Sequence, residues 1–375
     1  MERFAFIIHP LDVSDFYRKF PWIRILPNTW LESTLRHLPA FKVSEITGIK
    51  SLTGREAQGY FVACPITSRL MQKLPTDYVL NKISESAQLA EGLGAGIVGL
   101  GAFTAVVGDA GITVAKKVNI AVTTGNSYTV ATALQGIKKA AELLEVDLSS
   151  ANLAILGANG SIGKACARIL AKEVKELTLI GRRLPALDEV ARLISQESQV
   201  SVTTTLDTQA ALQRADVVVT VTSAVDTVIE PEYLKSGAIV CDVARPRDVS
   251  KRVAEVRDDV FVFEGGVVKV PGSVEFGFNF GFPAGTSYAC MAETMILALE
   301  GRYQSFTLGR EITVDQITEI ASLAQKHGFS LAGLRSFDRA VTDDEIRAFQ
   351  KKIKGKRLGY GGLSSTAGKG QADSA

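Results

Sequence analysis

Short apolar runs alternate with amphipathic stretches through the middle of the chain. Runs such as "NLAILGA", "ELTLIGR" and "ADVVVTVTS" are nearly continuous and rich in β-branched residues, which is typical of strands buried on both faces. The stretches between them, including "IGKACARILAKEV" and "ALDEVARLISQ", place apolar residues at helical spacing. This alternation predicts an α/β fold with a Rossmann-like, doubly wound parallel sheet.

The same pattern divides the chain into four parts. Residues 1–125 mix strand-like runs with helical pieces, so we expect an N-terminal α/β substrate domain. A long amphipathic helix that starts near "TTGNSYT" leads into an NADP-binding domain at residues 126–275. Residues 276–348 predict a C-terminal helical region, and the basic, glycine-rich residues 349–375 predict a disordered tail.

One uncharged stretch, residues 92–108 ("GLGAGIVGLGAFTAVVG"), is too short and too rich in glycine to span a membrane, although weak membrane association stays open. Two interpretations remain. The stretch could form a buried loop and strand whose glycines allow close packing of the backbone. Alternatively, it could join "FGFNFGFP" in the wall of a site for an acyl chain, since glycine lets a ligand approach the backbone.

Composition narrows the function classes. The 375 residues are 46% hydrophobic and 22% charged with a net charge of +2, so the chain can bury large cores and lacks the global charge that suits nucleic acid. Its four cysteines lie far apart without a CxxC pair, which argues against a metal site. The N-terminus "MERFAFIIHPLDV" lacks the features of a signal peptide, and we expect a cytoplasmic protein with free thiols.

A glycine-rich turn in "LAILGANGSIGKACARIL" joins a predicted strand to a predicted helix. In such a turn the first glycine allows a tight bend, the second lets the backbone approach a pyrophosphate, and the third packs helix against strand. The spacing is GxxGxxG rather than GxGxxG, because alanine occupies the first glycine position of the second form. We expect the loop to bind a dinucleotide through Gly157, Ala158, Asn159, Gly160, Ser161, Ile162 and Gly163.

The residues after the second predicted strand of this domain select the dinucleotide. An NAD site needs an acidic residue there, about 20 residues past the glycines, to bind the ribose 2′-hydroxyl. Here the strand "LTLIGRRLP" ends in Arg182 and Arg183, two cations that suit a 2′-phosphate. We therefore expect NADPH as the cofactor; the alternative is that the two arginines form only an exposed basic turn.

Further polar residues follow the fourth and fifth predicted strands. Thr222 and Ser223 come at the carboxyl end of the fourth strand, where nucleotide and substrate meet in open sheets, and we expect both to line the cofactor site. Asp242, Arg245 and Arg247 follow the fifth strand at the same rim. These three could serve the site or could equally cap a helix and pair at the surface.

A cysteine and a histidine are candidate catalytic residues. Counted from a helix cap at Thr286 or Ser287, Cys290 lies in the first turn of an apolar helix, where the amides and the helix dipole favour a reactive thiolate. Such a thiolate attacks acyl thioesters, whereas the alternative is a cysteine that merely packs in the core. His327 lies beyond this helix, and a return of the chain could bring it near as a proton donor.

Six segments in order resemble the long-chain acyl-acyl-carrier-protein reductases, aldehyde-forming enzymes of the cyanobacterial type. They are "LGAFTAVV", "TTGNSYT", "GANGSIG", "EGGVVKV", "YACMAETMILALEG" and "KHGF". The resemblance implies an NADPH-dependent enzyme that reduces fatty acyl thioesters of acyl-carrier protein or coenzyme A to fatty aldehydes. It also implies that Cys290 is the nucleophile that accepts the acyl group.

A second resemblance is to the nucleotide domain of glutamyl-tRNA reductase, through "DVVVTVTSA" and "CDVARPRDV". That family carries its cysteine in the N-terminal domain within a motif rich in Asn and Arg, a setting that Cys64 in "FVACPITSR" lacks. Two alternatives therefore stay open beside the acyl thioester reductase. One is another NADP-dependent oxidoreductase of the glutamyl-tRNA reductase or shikimate dehydrogenase kind, and the other is a dinucleotide-binding protein without catalysis.

Overall fold

Two six-stranded sheets form the framework of the protein. The computed structural model describes residues 1–13, 24–25, 34–278, 281 and 283–361. The first sheet contains β1 (Glu2–Ile8), β2 (Phe41–Lys50), β3 (Glu56–Ala63), β4 (Ile97–Leu100), β5 (Ala121–Thr123) and a later strand, β13 (Gly272–Glu275), in the order β13-β2-β3-β1-β4-β5. β1 pairs in parallel with β3 and β4, whereas β2 is antiparallel to both of its neighbours. Helices α1 (Ser68–Lys73), α2 (Thr76–Gly92) and α3 (Ile112–Ala115) belong to this half.

The second sheet is parallel throughout and confirms the predicted doubly wound fold. Its strands are β6 (Asn152–Leu156), β7 (Glu176–Ile180), β8 (Ser201–Thr205), β9 (Val217–Thr220), β10 (Ile239–Asp242) and β11 (Phe261–Glu264). Their order, β11-β10-β9-β6-β7-β8, reverses direction beside β6, which creates the crevice where such sheets bind nucleotides. The helices of this half are α4 (Asn126–Leu143), α5 (Ser161–Leu170), α6 (Leu184–Glu197), α7 (Thr208–Leu212) and α8 (Lys251–Val256).

After the second sheet the chain returns to the first. β12 (Val267–Lys269) pairs with β14 (Thr286–Tyr288) and β15 (Ser330–Leu331), and β13 joins the edge of the first sheet. Helix α9 (Ala289–Glu300) then packs on β1 and β4 and also contacts α4 and α10 (Val314–His327). The helix that carries the cysteine therefore lies between the first sheet and two other helices. Ten of its twelve residues are buried, whereas Cys290 and Glu300 are partly exposed.

The end of the described chain is more ordered than the sequence predicts. A short hairpin of β16 (Arg335–Ser336) and β17 (Arg339–Ala340) leads into helix α11 (Asp343–Gly361). The predicted disordered tail begins at residue 349, but residues 349–361 continue this helix. The rest of the predicted tail, residues 362–375, lies outside the described residues.

Two glycines of residues 92–108, Gly96 and Gly99, allow close packing in the described structure. A Cβ on Gly99 would lie 2.1 Å from Thr294 Oγ1 and 2.5 Å from the ring of Phe6, and one on Gly96 would lie 2.4 Å from the ring of Tyr303. The close neighbours of these glycines are thus side chains of the protein itself, which fits the first interpretation of the stretch. "FGFNFGFP", the other part of the suggested acyl wall, includes residues outside the described part of the chain.

Candidate active site

The three glycines of the nucleotide loop have three different surroundings. Gly157 follows β6 with φ +86°, and a Cβ there would lie 2.7 Å from the carbonyl oxygen of Val221. A Cβ on Gly163 would lie 2.3 Å from the carbonyl oxygen of Gly157, so this glycine allows α5 to pack closely on the strand end. Gly160 has only one near neighbour, at 3.3 Å, and leaves its backbone open on one side. The loop therefore has the shape that a bound pyrophosphate needs.

The remaining loop residues lie at the start of helix α5 or just before it. Ser161 and Ile162 are the first two residues of α5, and Gly160 precedes them as an N-cap without a side chain. Backbone amides of a first turn point at a ligand and favour negative charge. Ala158 is buried. Asn159 packs close to the end of β7, where a Cβ added to Gly181 would lie 3.0 Å from Asn159 Oδ1.

Both arginines that the sequence assigns to a 2′-phosphate are exposed where α6 begins. Arg183 is the N-cap residue of α6, and Arg182 precedes it. Within the described part of the chain, neither guanidinium forms an ion pair with a carboxylate. Two cations without a carboxylate partner beside the nucleotide loop would suit a 2′-phosphate. The choice of NADPH over NADH stays a prediction.

Thr222 is held in place by a buried carboxylate that sequence reasoning missed. Asp248 accepts hydrogen bonds from Thr220 Oγ1 (2.5 Å), from Thr222 Oγ1 (2.5 Å) and from the Thr222 amide (2.9 Å). Burial raises the pKa of Asp248, although these donors counteract it. Ser223 is exposed, and its carbonyl oxygen accepts a hydrogen bond from Gln72 Nε2 of α1 at 3.0 Å. This loop thus connects the nucleotide-binding sheet to the first half of the protein.

Cys290 lies at the start of α9 as the sequence predicts, but the helix begins later than expected. Thr286 and Ser287, the predicted caps, belong to strand β14, and Tyr288 is the N-cap residue. Cys290 is therefore the second residue of the helix. A Cβ on Gly125 would lie 2.3 Å from Cys290 Cα and 2.5 Å from its Cβ, so the turn between β5 and α4 presses directly against the cysteine.

The protonation state of Cys290 corrects the expectation of a preformed thiolate. Burial raises the pKa of the Cys290 thiol to about 12, and Glu293 also raises it when ionised. The amide of Met291 and the charge of Arg245 act in the opposite direction. Desolvation outweighs the helix N-terminus here, because the dipole contributes only about 0.3–1 kcal/mol at ordinary sites. Cys290 is nevertheless the one cysteine of the four with solvent exposure.

Arg245 brings a buried positive charge to the same place. Its Nε donates a hydrogen bond to Tyr288 Oη at 3.2 Å, and its guanidinium lies 5.2 Å from the centre of the Tyr288 ring. Its Nη2 lies 3.6 Å from Glu264 Oε2, and neither atom has a hydrogen-bond partner in the described residues. The second rim arginine, Arg247, pairs with Glu264 at 2.6 Å. The third rim residue, Asp242, is buried, and burial raises its pKa to about 7. Of the three rim residues, Arg245 is the one whose charge lowers the pKa of Cys290.

His327 is not brought to the cysteine, which corrects its prediction as the proton donor. Its Nε2 lies 2.9 Å from Glu300 Oε2 and its Nδ1 lies 2.8 Å from Ser51 Oγ. Glu300 is the last residue of α9 and Cys290 its second. Ten residues of helix correspond to about 15 Å, so His327 is at the opposite end of α9. Its side chain is fully buried and connects the β2–β3 turn to the helices.

The nucleotide loop and Cys290 approach each other through a single turn. Asn126, the first residue of α4, reaches Ser161 Oγ of the nucleotide loop with its Nδ2 at 3.5 Å. The preceding residue, Gly125, contacts Cys290. Gly125 and Asn126 therefore link the N-terminus of α4 to the N-termini of α5 and α9. This arrangement places a cysteine beside a loop shaped for a dinucleotide.

A fully buried carboxylate, Glu293, lies one turn after Cys290 and was also missed in the sequence. It accepts hydrogen bonds from Thr123 Oγ1, Thr307 Oγ1, Ser127 Oγ and the amide of Tyr128, at distances of 2.5 to 2.9 Å. The Tyr128 amide belongs to the first turn of α4, whose N-cap is a glycine without a side chain. Glu293 thus supplies the cap that Gly125 cannot provide and binds α9 to α4.

Comparisons with known proteins agree with this geometry at the level of the nucleotide-binding half. The family model of shikimate / quinate 5-dehydrogenase matches residues 138–264. This half resembles NAD(P)-dependent oxidoreductases. The glutamyl-tRNA reductase of Cyanophora paradoxa is similar as well, with 29% identity over 35% of this chain and 31% of that protein. These relatives support a nicotinamide dinucleotide as cofactor and an oxidoreductase-type enzyme.

Two relatives extend the similarity beyond the nucleotide-binding half. The aminotransferase PigE of Serratia sp. (strain ATCC 39006) is 32% identical over 92% of this chain, and the chain spans 41% of the length of that protein. The long-chain acyl-[acyl-carrier-protein] reductase of Synechococcus elongatus is 29% identical over 76% of this chain and 86% of its own length. In the described part of the chain, no helix has the length and apolar character that a membrane crossing requires.

Proposed function

We propose that this protein reduces long-chain fatty acyl thioesters to fatty aldehydes with NADPH, through a thioester formed on Cys290. The observation that carries the proposal is the turn at residues 125–126, which touches Cys290 on one side and the nucleotide loop on the other. A dinucleotide in that loop would have a thiol as a close neighbour. Similarity to the long-chain acyl-[acyl-carrier-protein] reductase of Synechococcus elongatus supports the choice of substrate.

Acyl transfer needs no external oxidant or reductant. A bond forms between Cys290 Sγ and the acyl carbon, the carbon–sulfur bond to the carrier breaks, and the thiol proton of Cys290 passes to the carrier sulfur. The guanidinium of Arg245 lowers the pKa of Cys290 and would stabilise the negative charge that develops on sulfur. Because burial holds the pKa of this thiol high, we expect transfer to accelerate as pH rises.

Reduction then releases the aldehyde. NADPH, when bound, supplies the hydride. Hydride addition to the thioester carbonyl forms a carbon–hydrogen bond, the bond to Sγ breaks with its electron pair on sulfur, and uptake of one proton returns Cys290 to a thiol. Arg182 and Arg183 would bind the 2′-phosphate, and the first-turn amides of α5 would bind the pyrophosphate. Acyl-carrier protein and coenzyme A are both candidates for the carrier.

The experiment separates acyl transfer from reduction. The protein is incubated with a long-chain acyl thioester in the absence of NADPH, and the adduct is mapped by mass spectrometry. We expect acylation of Cys290 and not of Cys64, Cys166 or Cys241, which are fully buried. Addition of NADPH should then release one equivalent of aldehyde. The Cys290→Ser variant should bind NADPH normally and form no stable acyl-enzyme.

The match to the shikimate / quinate 5-dehydrogenase family favours one competing function, an alcohol dehydrogenase that transfers hydride without a covalent intermediate. That reaction does not use the cysteine, so Cys290→Ser would retain full activity with an alcohol substrate. A protein that only binds the dinucleotide would bind NADPH and show neither acylation nor turnover with any carrier. Acylation at another residue would refute the proposed role of Cys290.

A further inference from the structure

The oxygen–oxygen contacts around Glu293 outnumber the hydroxyl hydrogens that are available for them. Four contacts join two oxygen atoms each: Thr123 to Oε1 (2.5 Å), Thr307 to Oε1 (2.9 Å), Ser127 to Oε2 (2.8 Å), and Ser127 to Thr307 (2.6 Å). Every such contact requires one hydrogen between its two oxygens. Thr123, Ser127 and Thr307 supply one hydroxyl hydrogen each. One contact is therefore left without a hydrogen if Glu293 is ionised.

No neighbouring amide corrects this shortage. The Tyr128 amide donates to Oε2 at 2.8 Å, which is a separate contact, and the Thr307 amide donates to Thr123 Oγ1 at 3.2 Å, which uses that hydroxyl as an acceptor. All five residues are fully or almost fully buried, with at most 2% of their surface exposed, so bulk water does not reach the network. Two oxygen lone pairs that face each other in such a place destabilise the folded protein, as an unmade buried hydrogen bond does.

A carboxyl proton supplies the missing hydrogen. With Oε2 protonated, Oε2 donates to Ser127, Ser127 donates to Thr307, and Thr307 donates to Oε1, so the three groups form a closed ring. Thr123 donates to Oε1 from outside the ring, and the Tyr128 amide still finds Oε2 as an acceptor. All contacts are then satisfied, and buried hydrogen-bond rings of this kind reinforce one another.

We propose that Glu293 is a neutral carboxylic acid in the folded protein, and that it positions Cys290 by joining the first turn of α9 to the first turn of α4 without placing a negative charge beside the nucleophile. This inference deepens the proposed function and depends on it only for the role of Cys290. Burial raises the pKa of Glu293, which agrees with the hydrogen count. A buried acid that stays neutral can donate a hydrogen bond, as in other enzyme sites.

The charge of Glu293 matters because Cys290 is close. Residues three apart on a helix have Cβ atoms about 5–6 Å apart. Two charged groups act on the Cys290 thiol. Arg245, from the β10–α8 loop, lowers its pKa, and Glu293 raises it when ionised. Tyr288, the helix cap, is bonded to Arg245. With Glu293 neutral, the positive charge of Arg245 acts on the thiol unopposed.

Two variants test the charge, and neither measurement needs turnover. Glu293→Gln keeps the size and a neutral group, with its carbonyl oxygen in the place of Oε1 and its NH₂ in the place of Oε2, and loses an acceptor only for the Tyr128 amide. Ser127→Ala removes one hydroxyl and two contacts, so the two hydroxyls that remain match an ionised carboxylate. The pH dependence of Cys290 alkylation by iodoacetamide reports the pKa of the thiol, and infrared difference spectra report a protonated carboxyl through its C=O stretch. NADPH binding serves as the control for folding.

The two variants should differ in the pH dependence of Cys290 alkylation. Glu293→Gln should leave the alkylation profile of Cys290 in place and remove one carboxylic acid C=O band that shifts in D₂O. Ser127→Ala should also lose that band at neutral pH, because Glu293 ionises, and should move the alkylation profile to higher pH. If Glu293→Gln fails to fold, the comparison of Ser127→Ala with the unchanged protein decides alone.

Either of two outcomes overturns the inference. One is an alkylation profile that moves to lower pH in Glu293→Gln, since this means that a negative charge was removed. The other is a C=O band that is absent from the unchanged protein or is unaffected by Ser127→Ala. Loss of acyl transfer with normal alkylation and infrared results would instead count against the proposed function, so the two failures are distinguishable.

Discussion

Gly125→Ala tests the contact on which the candidate site depends. Gly125 has φ +74°, a conformation that costs an L residue about 1–2 kcal/mol. The added Cβ would also lie 2.3 Å from Cys290 Cα, closer than atoms can approach, so the first turn of α9 must shift. Overpacking of this kind costs about 1–3 kcal/mol more. We expect a loss of roughly 2–5 kcal/mol in the free energy of unfolding.

The matched control is Gly54→Ala. Gly54 has φ +82° and no atom within 4 Å of an added Cβ, so this variant carries the backbone cost without the steric one. Urea unfolding of both variants isolates the contact with Cys290. Iodoacetamide provides a second measurement, because displacement of α9 should expose Cys290, lower its pKa and accelerate its alkylation in Gly125→Ala alone. Equal stability of the two variants with unchanged alkylation would refute the contact and the site built on it.

Three further predictions concern the nucleotide loop and the far end of α9. Replacing Arg182 and Arg183 with Ala should weaken NADPH binding far more than NADH binding in a fluorescence titration, and equal losses would remove the 2′-phosphate assignment. Gly163→Ala should abolish binding of either dinucleotide, because its Cβ would lie 2.3 Å from Gly157 O; unchanged affinity would contradict this packing. Burial lowers the pKa of His327, so its stabilising effect is present above about pH 6.5 and is lost as pH falls through the lower folded pKa. Urea unfolding against pH should show this loss in the unchanged protein and not in His327→Gln.

The parallel sheet and its nucleotide loop were predictable because both rest on local patterns. Buried parallel strands are continuous apolar runs, and the three glycines follow from the needs of one turn, as Gly157 and Gly163 show. The position of Cys290 in a first helical turn was predictable for the same reason. Its protonation was not, because burial by elements distant in the sequence outweighs the helix terminus.

The features of the site that the sequence did not reveal depend on contacts between residues far apart in the chain. His327 was expected near Cys290 because it follows the same helix, but sequence order does not reveal that it returns to the far end, where it meets Ser51. Glu293 is the one charged residue in "ACMAETMILAL", and a carboxylate inside a largely apolar segment was the signal available for the network. Asp248 gave no such signal, since its partners Thr220 and Thr222 lie at the end of β9, more than 20 residues earlier in the chain.

The return of the chain to the first sheet has a consequence for synthesis and folding. Strand β13 and helix α9 complete that sheet and cover it, yet about 150 residues separate them from β5. The first half of the protein therefore leaves the ribosome with an uncovered sheet edge and an uncovered apolar face, and it must wait while the entire nucleotide-binding sheet is translated. All strands of the nucleotide-binding sheet lie within residues 152–264, so this sheet can fold first. The N-terminal half would then complete its own sheet when β13 and α9 pack against it.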